Sequence, residues 1–413
     1  MRRRGEEAFA SGVRTGTVEG AGFFLRRRVG MVRRSIVGWL PVLLALSAQG
    51  CDQAPPEDAY GAYRRHDYAQ ALQWFRNAAE RGDANAADYL GFMYDHGQGV
   101  PRDYAQAMAW YRKAAAQGSA VAAFNVGNMY EHGLGVPRDD AQAVEWYGKA
   151  AAGGRAEAAF AIGALYDQGV DGRPDYLQAM AWYRQAAEQG SADAAFGLGK
   201  IYEQGHGVKQ DYAKALQWYR QAAEQGSVAA AFAIGDMYDH GLGVRRDYGL
   251  AIQWFRQAAE RGYAYAEFDL GNMYDQGYGV KQDDGEAMLW YRKAADQGYS
   301  VAQSNLGGLY DNGRGARQDY AKAMLWYRKA AEQGDAVALN NLGVLYEDGK
   351  GVMRDDVEAY KWYSVAASRL SSGEQFRALA VRNRNDLAPK MKPAEIKQAQ
   401  ALAGAWNAAH PGK

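Results

Sequence analysis

Residues 194–226 read AAFGLGKIYEQGHGVKQDYAKALQWYRQAAEQG, and the fold follows from how this stretch is built and repeated. Ala194, Leu198, Gly199, Ile201 and Tyr202 fall at i, i+4, i+5, i+7 and i+8, a single face of a helix. Gly205-His206-Gly207-Val208 then interrupts the pattern, and its two glycines permit the positive φ of a tight loop. Asp211 is placed to cap a second helix, because its carboxylate accepts the free N–H groups of a first turn. That helix carries Ala215, Trp218, Tyr219, Ala222 and Ala223 on one face, and Gly226 stands just past its end. The stretch therefore predicts a helical hairpin.

The hairpin recurs without insertion or slip. Trp74, Trp110, Trp146, Trp182, Trp218, Trp254, Trp290, Trp326 and Trp362 stand 36 residues apart. A fixed period in this range is the signature of a solenoid. Complete units run from Asp83 to Leu370, and half a unit, from about Ala59 to Gly82, precedes them. Most of the 50 glycines of the 413-residue chain are thereby explained. Those like Gly199 lie inside a helix, where glycine costs roughly 1 kcal/mol against alanine. Repeating that cost implies close helix–helix contact. The Trp and Tyr stripe is read as core packing, not as a sugar or cofactor site. One long domain replaces the two or three that length alone suggests.

Composition closes off other classes. A lone cysteine makes no internal disulfide and no cysteine-rich zinc site. Lys+Arg and Asp+Glu are 48 each, so no basic excess points to nucleic acid. Six histidines are present, and His96, His132 and His240 share one repeat position that elsewhere holds Gln168, Gln204, Gln276, Asn312 or Asp348. Interchange with amides indicates polar surface, not a metal pair. The acidic residue after each first-helix Tyr, such as Asp95, Glu131 and Glu203, recurs in every complete unit. So regular a carboxylate reads as architecture or solvated surface, not as an acid/base pair. No Gly-x-Ser-x-Gly or phosphate-cradling Gly-x-x-x-x-Gly-Lys motif occurs.

Taken together, Ala-x-x-x-Leu-Gly-x-x-Tyr, Gly-x-Gly-Val and Asp-x-x-x-Ala-x-x-Trp-(Tyr/Phe)-x-x-Ala-Ala-x-x-Gly resemble the Sel-1-like repeat, a relative of the tetratricopeptide repeat with a longer loop. The resemblance covers residues 59–370. It implies an all-α fold, an α/α solenoid wound as a right-handed superhelix of eight and a half hairpins. At about 8–10 Å between packed helices the rod would be on the order of 80 Å long. Departures are few: Gly169-Val170-Asp171-Gly172 displaces a loop glycine and predicts a remodelled loop, Ala316 replaces Val, and Leu370 replaces the closing Gly. Residues 371–413 are expected to cap the open end of the stack, as solenoids require. Ser371 to Leu387 forms one helix in this reading. A second starts at Pro393 with Ile396, Ala399, Leu402, Ala403 and Trp406 as its apolar stripe.

The N-terminus reads as an address. Residues 31–50 show the basic, apolar, small-residue order of a secretory signal. Its apolar run is too short for a comfortable span. Ending in Ala48-Gln49-Gly50-Cys51, it resembles a bacterial lipoprotein signal, which implies lipidation of Cys51. An ordinary cleaved signal and an uncleaved anchor are the other readings. Residues 51–58 serve as a tether, and Asp52 resembles an inner-membrane retention signal. Residues 1–30 fit neither signal nor repeat, so the expected start is Met31, with a misassigned or disordered extension before it. Processing would remove nine Arg and three Glu, leaving a net charge of −6.

In each first helix, four positions at i, i+4, i+7 and i+11 vary while their neighbours stay fixed, and they form a separate face. The resemblance implies that the first helices line the concave surface. Candidate partner-binding residues are Asn85, Tyr89, Phe92, His96, Asn125, Asn128, His132, Lys200, Asp236, His240, Tyr265, Asp269, Asn272, Asn305 and Asn341. Amides and aromatics offer hydrogen bonds and low-entropy contact area to an extended peptide. The expected function is a membrane-tethered periplasmic scaffold, monomeric and without cofactor or metal, that binds envelope proteins or peptides. Two alternatives follow from the resemblance: a surface factor that binds host proteins, and a β-lactam-binding or weak β-lactamase-like enzyme.

Overall fold

The computed structural model describes residues 57–369 and 374–411. Cys51, the signal, the tether's start and the extension lie outside the described residues. Among the described residues every regular element is helical. They divide into two bodies, the first ending at Arg246 and the second beginning at Asp247.

The first body holds α1 (Glu57–Arg64), α2 (Tyr68–Glu80), α3 (Ala84–His96), α4 (Tyr104–Ala116), α5 (Ala120–His132) and α6 (Asp140–Ala152). It continues through α7 (Ala156–Gln168), α8 (Tyr176–Glu188), α9 (Ala192–Gln204), α10 (Tyr212–Glu224) and α11 (Val228–His240). Each helix packs on the next. Asp103, Asp139, Asp175 and Asp211 cap the second helices through their carboxylates, as expected. Ahead of α2 lies α1, a short lid whose Ala59 and Ala62 are fully buried. It runs through the register where other units have their Gly-x-Gly loop. Around Gly169 that loop is remodelled, with a 3-10 turn at Val170–Gly172.

The second body holds α12 (Tyr248–Ala259), α13 (Ala264–Gln276), α14 (Asp284–Asp296), α15 (Ser300–Asn312) and α16 (Tyr320–Glu332). After these come α17 (Ala336–Asp348), α18 (Asp356–Ser368), α19 (Glu374–Leu387) and α20 (Pro393–Ala409). The last two both pack on α18. Trp406 of α20 meets Trp362 edge-on at 4.8 Å.

The in-helix glycines do mark close contact, and the partner is a tyrosine. A Cβ placed on Gly199 would lie 2.4 Å from the Tyr219 ring, and one on Gly343 2.5 Å from Tyr363. Loops stack as closely: a Cβ on Gly207 would come within 2.7 Å of Tyr176 in the preceding unit.

One expectation needs correction. The tryptophans are not the centre of the core. Trp74, Trp110, Trp146, Trp182, Trp218 and Trp254 are only half-buried, and Trp290, Trp326 and Trp362 are buried. The fully buried large side chain is the next residue, as at Tyr111, Tyr147, Tyr219, Phe255, Tyr291, Tyr327 and Tyr363. The Trp ring instead lies across the helix flank, where a lysine three residues on often covers it: Lys149 over Trp146 and Lys293 over Trp290, each at 3.8 Å.

Candidate binding face of the first helices

The tyrosines that fill the core have a polar end, and the structure shows where it goes. In the first body the Tyr147 hydroxyl donates to Glu131 at 2.6 Å and Tyr219 to Glu203 at 2.8 Å. In the second, Tyr363 donates to Glu347 at 2.9 Å. In six units the acid after the first-helix Tyr is thus the acceptor for the core Tyr of its own unit. Burial pushes Asp95, Asp167, Asp239 and Asp311 of this row above the ordinary carboxylate range. A second ladder joins units: Arg76 donates to Tyr94, Arg184 to Tyr202 and Arg328 to Tyr346, at 2.7, 3.0 and 2.7 Å. Gly148 and Ser364 stand where the other units have this Arg. Both ladders were missed from sequence, although their spacings of 16 and 18 residues recur throughout.

With these groups occupied, the variable row is left over. It is not uniformly open. The i+11 residues His96, His132 and His240 are exposed, as is Asn85 at the other end of α3, while most i+4 and i+7 residues are half-buried. Each of the three histidines points Nδ1 at the carbonyl one turn back, at 3.0–3.1 Å, leaving Nε2 outward. Asp236 Oδ1 and Asp239 flank His240 at 3.3 and 3.6 Å. The hydrogen bond that the His240 ring donates to the Asp236 carboxylate raises the His240 pKa to about 9 despite partial burial. Phe92 stacks on His96 at 3.9 Å. Asn125 and Asn128 are half-buried, and Asn128 also bonds the Tyr147 hydroxyl. Lys200 lies near Asp167 and draws its pKa back down.

Some candidates serve packing. Tyr89 stacks on Phe75 at 4.9 Å and meets Tyr60 and Tyr63 edge-on at 5.1 and 5.5 Å, locking α1 to α3. In the second body Asp269 and Asn272 are half-buried on the row. Tyr265 contacts Tyr299 of the next unit at 5.1 Å, and Asn305 bonds the Tyr291 hydroxyl. Asn341 is 5% exposed and bonded to Tyr327, and its neighbour Val344 packs with Leu387 and Met391 at the end of α19. Reading Asn341 as open surface is therefore corrected: the C-terminal helices cover that position. Among the described residues no cluster of three or more His, Cys, Asp or Glu side chains is placed to hold a metal ion. Nor is any described helix long and apolar enough to cross a membrane.

Nine consecutive stretches match the Sel1 repeat: residues 59–83, 84–119, 120–154, 156–191, 192–227, 228–263, 264–299, 300–335 and 336–369. The chain belongs to the Sel1 repeat family. Its fold is shared with the crystal structure of a protective antigen present in uropathogenic Escherichia coli strains. That protein is 37% identical, with 83% of this chain and 73% of that chain covered, at a TM-score of 0.70. A Sel1 repeat protein from Oxalobacter formigenes is 36% identical over 70% of this chain and 86% of that one, at a TM-score of 0.60. No curated protein matches. Sel1 repeat proteins typically mediate protein–protein interaction, and the solenoid is typically a non-enzymatic scaffold.

Proposed function

We propose that this Sel1 repeat protein is a periplasm-facing scaffold that binds envelope proteins or extended peptide segments on the first-helix row. In this reading it acts as a monomer tethered to the membrane through a lipid on Cys51, with Asp52 favouring the inner membrane. One observation carries the binding reading. The core aromatic, its acid, the in-helix Gly and the capping Asp recur from unit to unit, while the four-residue row beside them forms a different set in each unit. Rigid helices presenting varied amides, rings and charges lose little entropy when a partner docks. A second reading, a surface factor that binds host proteins, is favoured by one relative being a protective antigen.

Photo-crosslinking residues at Asn125 and Asn272 in living cells, against Gln217 and Gln253 on the outward side of second helices, test the face. Specific adducts are expected only from the first pair. Adducts equal in number from the second pair would move the site elsewhere. Intact-mass analysis of the membrane fraction tests the tether, and a soluble product with a free Cys51 thiol would sink it.

A further inference from the structure

One first-helix position holds Phe in five consecutive units, Phe124, Phe160, Phe196, Phe232 and Phe268, and Asp88 in the first. In the next unit the ring lies against the cap of the following first helix, with the Arg155 guanidinium over Phe124 at 5.5 Å. At the same two positions later units hold Phe160 with Ser191 and Phe196 with Ser227. Asp88 therefore places a carboxylate in a slot that the fold otherwise fills with a ring.

The slot satisfies that carboxylate poorly. Ser119 caps α5 by accepting from the Ala122 N–H at 3.1 Å, and its hydroxyl donates to Asp88 Oδ2. Oδ1 is buried with no hydrogen-bond partner among the described residues. The cation that attracts it is Arg155 at the start of α7, two units on, whose buried Nε makes no hydrogen bond and faces the Glu157 carboxylate at 3.8 Å. The remaining titratable groups facing Asp88 are Tyr111 of α4 and Tyr89 of its own helix, and ionised Asp88 disfavours ionisation of both. One hydroxyl and a distant guanidinium do not replace the water that an ionised carboxylate gives up. In the second body the same two positions hold the two residue types exchanged, Ser304 on the helix and Asp335 at the cap.

We propose that Asp88 is a proton-linked latch between α3 and α5: neutral, it holds the first units closed, and on ionising it loosens them. Desolvation supports this by raising its pKa to about 7. Since this lies above the unfolded value near 4, the stabilisation is complete below about pH 4 and is lost as pH rises toward 7.

Hydrogen exchange of α3–α5 amides in the full chain, comparing wild type with Asp88→Asn at each pH, reads the latch. Intrinsic exchange and the other carboxylates cancel in the ratio of the two proteins. From pH 7.5 to 5.5 the wild-type opening constant should fall roughly 20-fold relative to Asp88→Asn. Asp88→Phe, which recreates the Phe160–Ser191 pairing, should be as insensitive to pH as Asp88→Asn and guards against a variant that misfolds. A ratio that stays constant across pH would overturn the latch and leave Asp88 a packing residue.

Discussion

Replacing Gly199 with Ala tests whether the tyrosine dictates the in-helix glycine. On helix propensity alone the change should stabilise, by up to about 1 kcal/mol. The structure reverses the sign. The new Cβ would sit 2.4 Å from Cδ1 and Cε1 of Tyr219, against an optimal carbon–carbon contact of about 3.5–4.0 Å. Both groups belong to helices and neither is a flexible chain end, so α9 and α10 must part by roughly 1 Å. Overpacking of this kind costs about 1–3 kcal/mol. After the propensity gain, a net loss of about 1–2 kcal/mol remains. Gly148 is the internal control: it also lies inside a helix, α6, but a Cβ there meets nothing within 4 Å. Gly148→Ala should therefore stabilise by about 0.5–1 kcal/mol. Urea unfolding followed by circular dichroism reads both variants, and a background of Tyr219→Ala completes the cycle. There, Gly199→Ala should become neutral or favourable. If Gly199→Ala stabilises wild type, or harms the Tyr219→Ala background equally, the ring is not what the glycine accommodates.

Further outcomes follow from the charged groups. Arg314 contacts the buried Asp275 at 2.6 Å and also Asp284, which stands where most units have Tyr. Arg314→Met should cost about 2–3 kcal/mol by stranding Asp275, and adding Asp275→Asn should recover most of it in a thermal melt. Asp95, Asp167, Asp239 and Asp311 are all raised by burial. Their contribution is present near pH 4 and lost as pH rises through their folded values, so melting temperature should fall as pH is raised from about 4. The capping Asp211 and Asp319 are lowered by backbone N–H groups and act oppositely, but only as pH falls below about 4. His240 should titrate near 9 by NMR, its stabilisation vanishing as pH rises through that value, and Asp236→Asn should bring the midpoint down.

The fold was legible because its period is rigid and its punctuation chemical: the capping Asp, the loop glycines and the apolar faces each repeat. What periodicity does not specify is which of two adjacent residues on one face meets the partner helix. Trp218 and Tyr219 are 100° apart on the same apolar side, so sequence credited the larger ring, while the geometry gives the centre to Tyr219. Pairings between helices were hidden for the same reason. The 16-residue link from Tyr219 to Glu203 and the 18-residue link from Arg220 to Tyr238 depend on how two helices dock, and spacing within one helix carries no trace of that. Asn341 failed as a surface residue because its burial comes from chain beyond the repeat.

The same contacts narrow the binding row. A position is free to vary only if neither a core ring nor an end cap needs it. Tyr89 is claimed by the aromatic cluster under α1, Asn341 by the C-terminal helices, and Asn305 by the Tyr291 hydroxyl. Substituting these would disturb packing and would report poorly on partner binding. Asn125, Lys200 and Asn272 are half-buried without those structural duties, and His96 and His132 present an outward Nε2 beside them. A binding defect that appears with Asn125→Ala or Asn272→Ala at unchanged helicity would therefore locate partner contact. The same defect from Tyr89→Ala alone would mean only that the first unit had come loose.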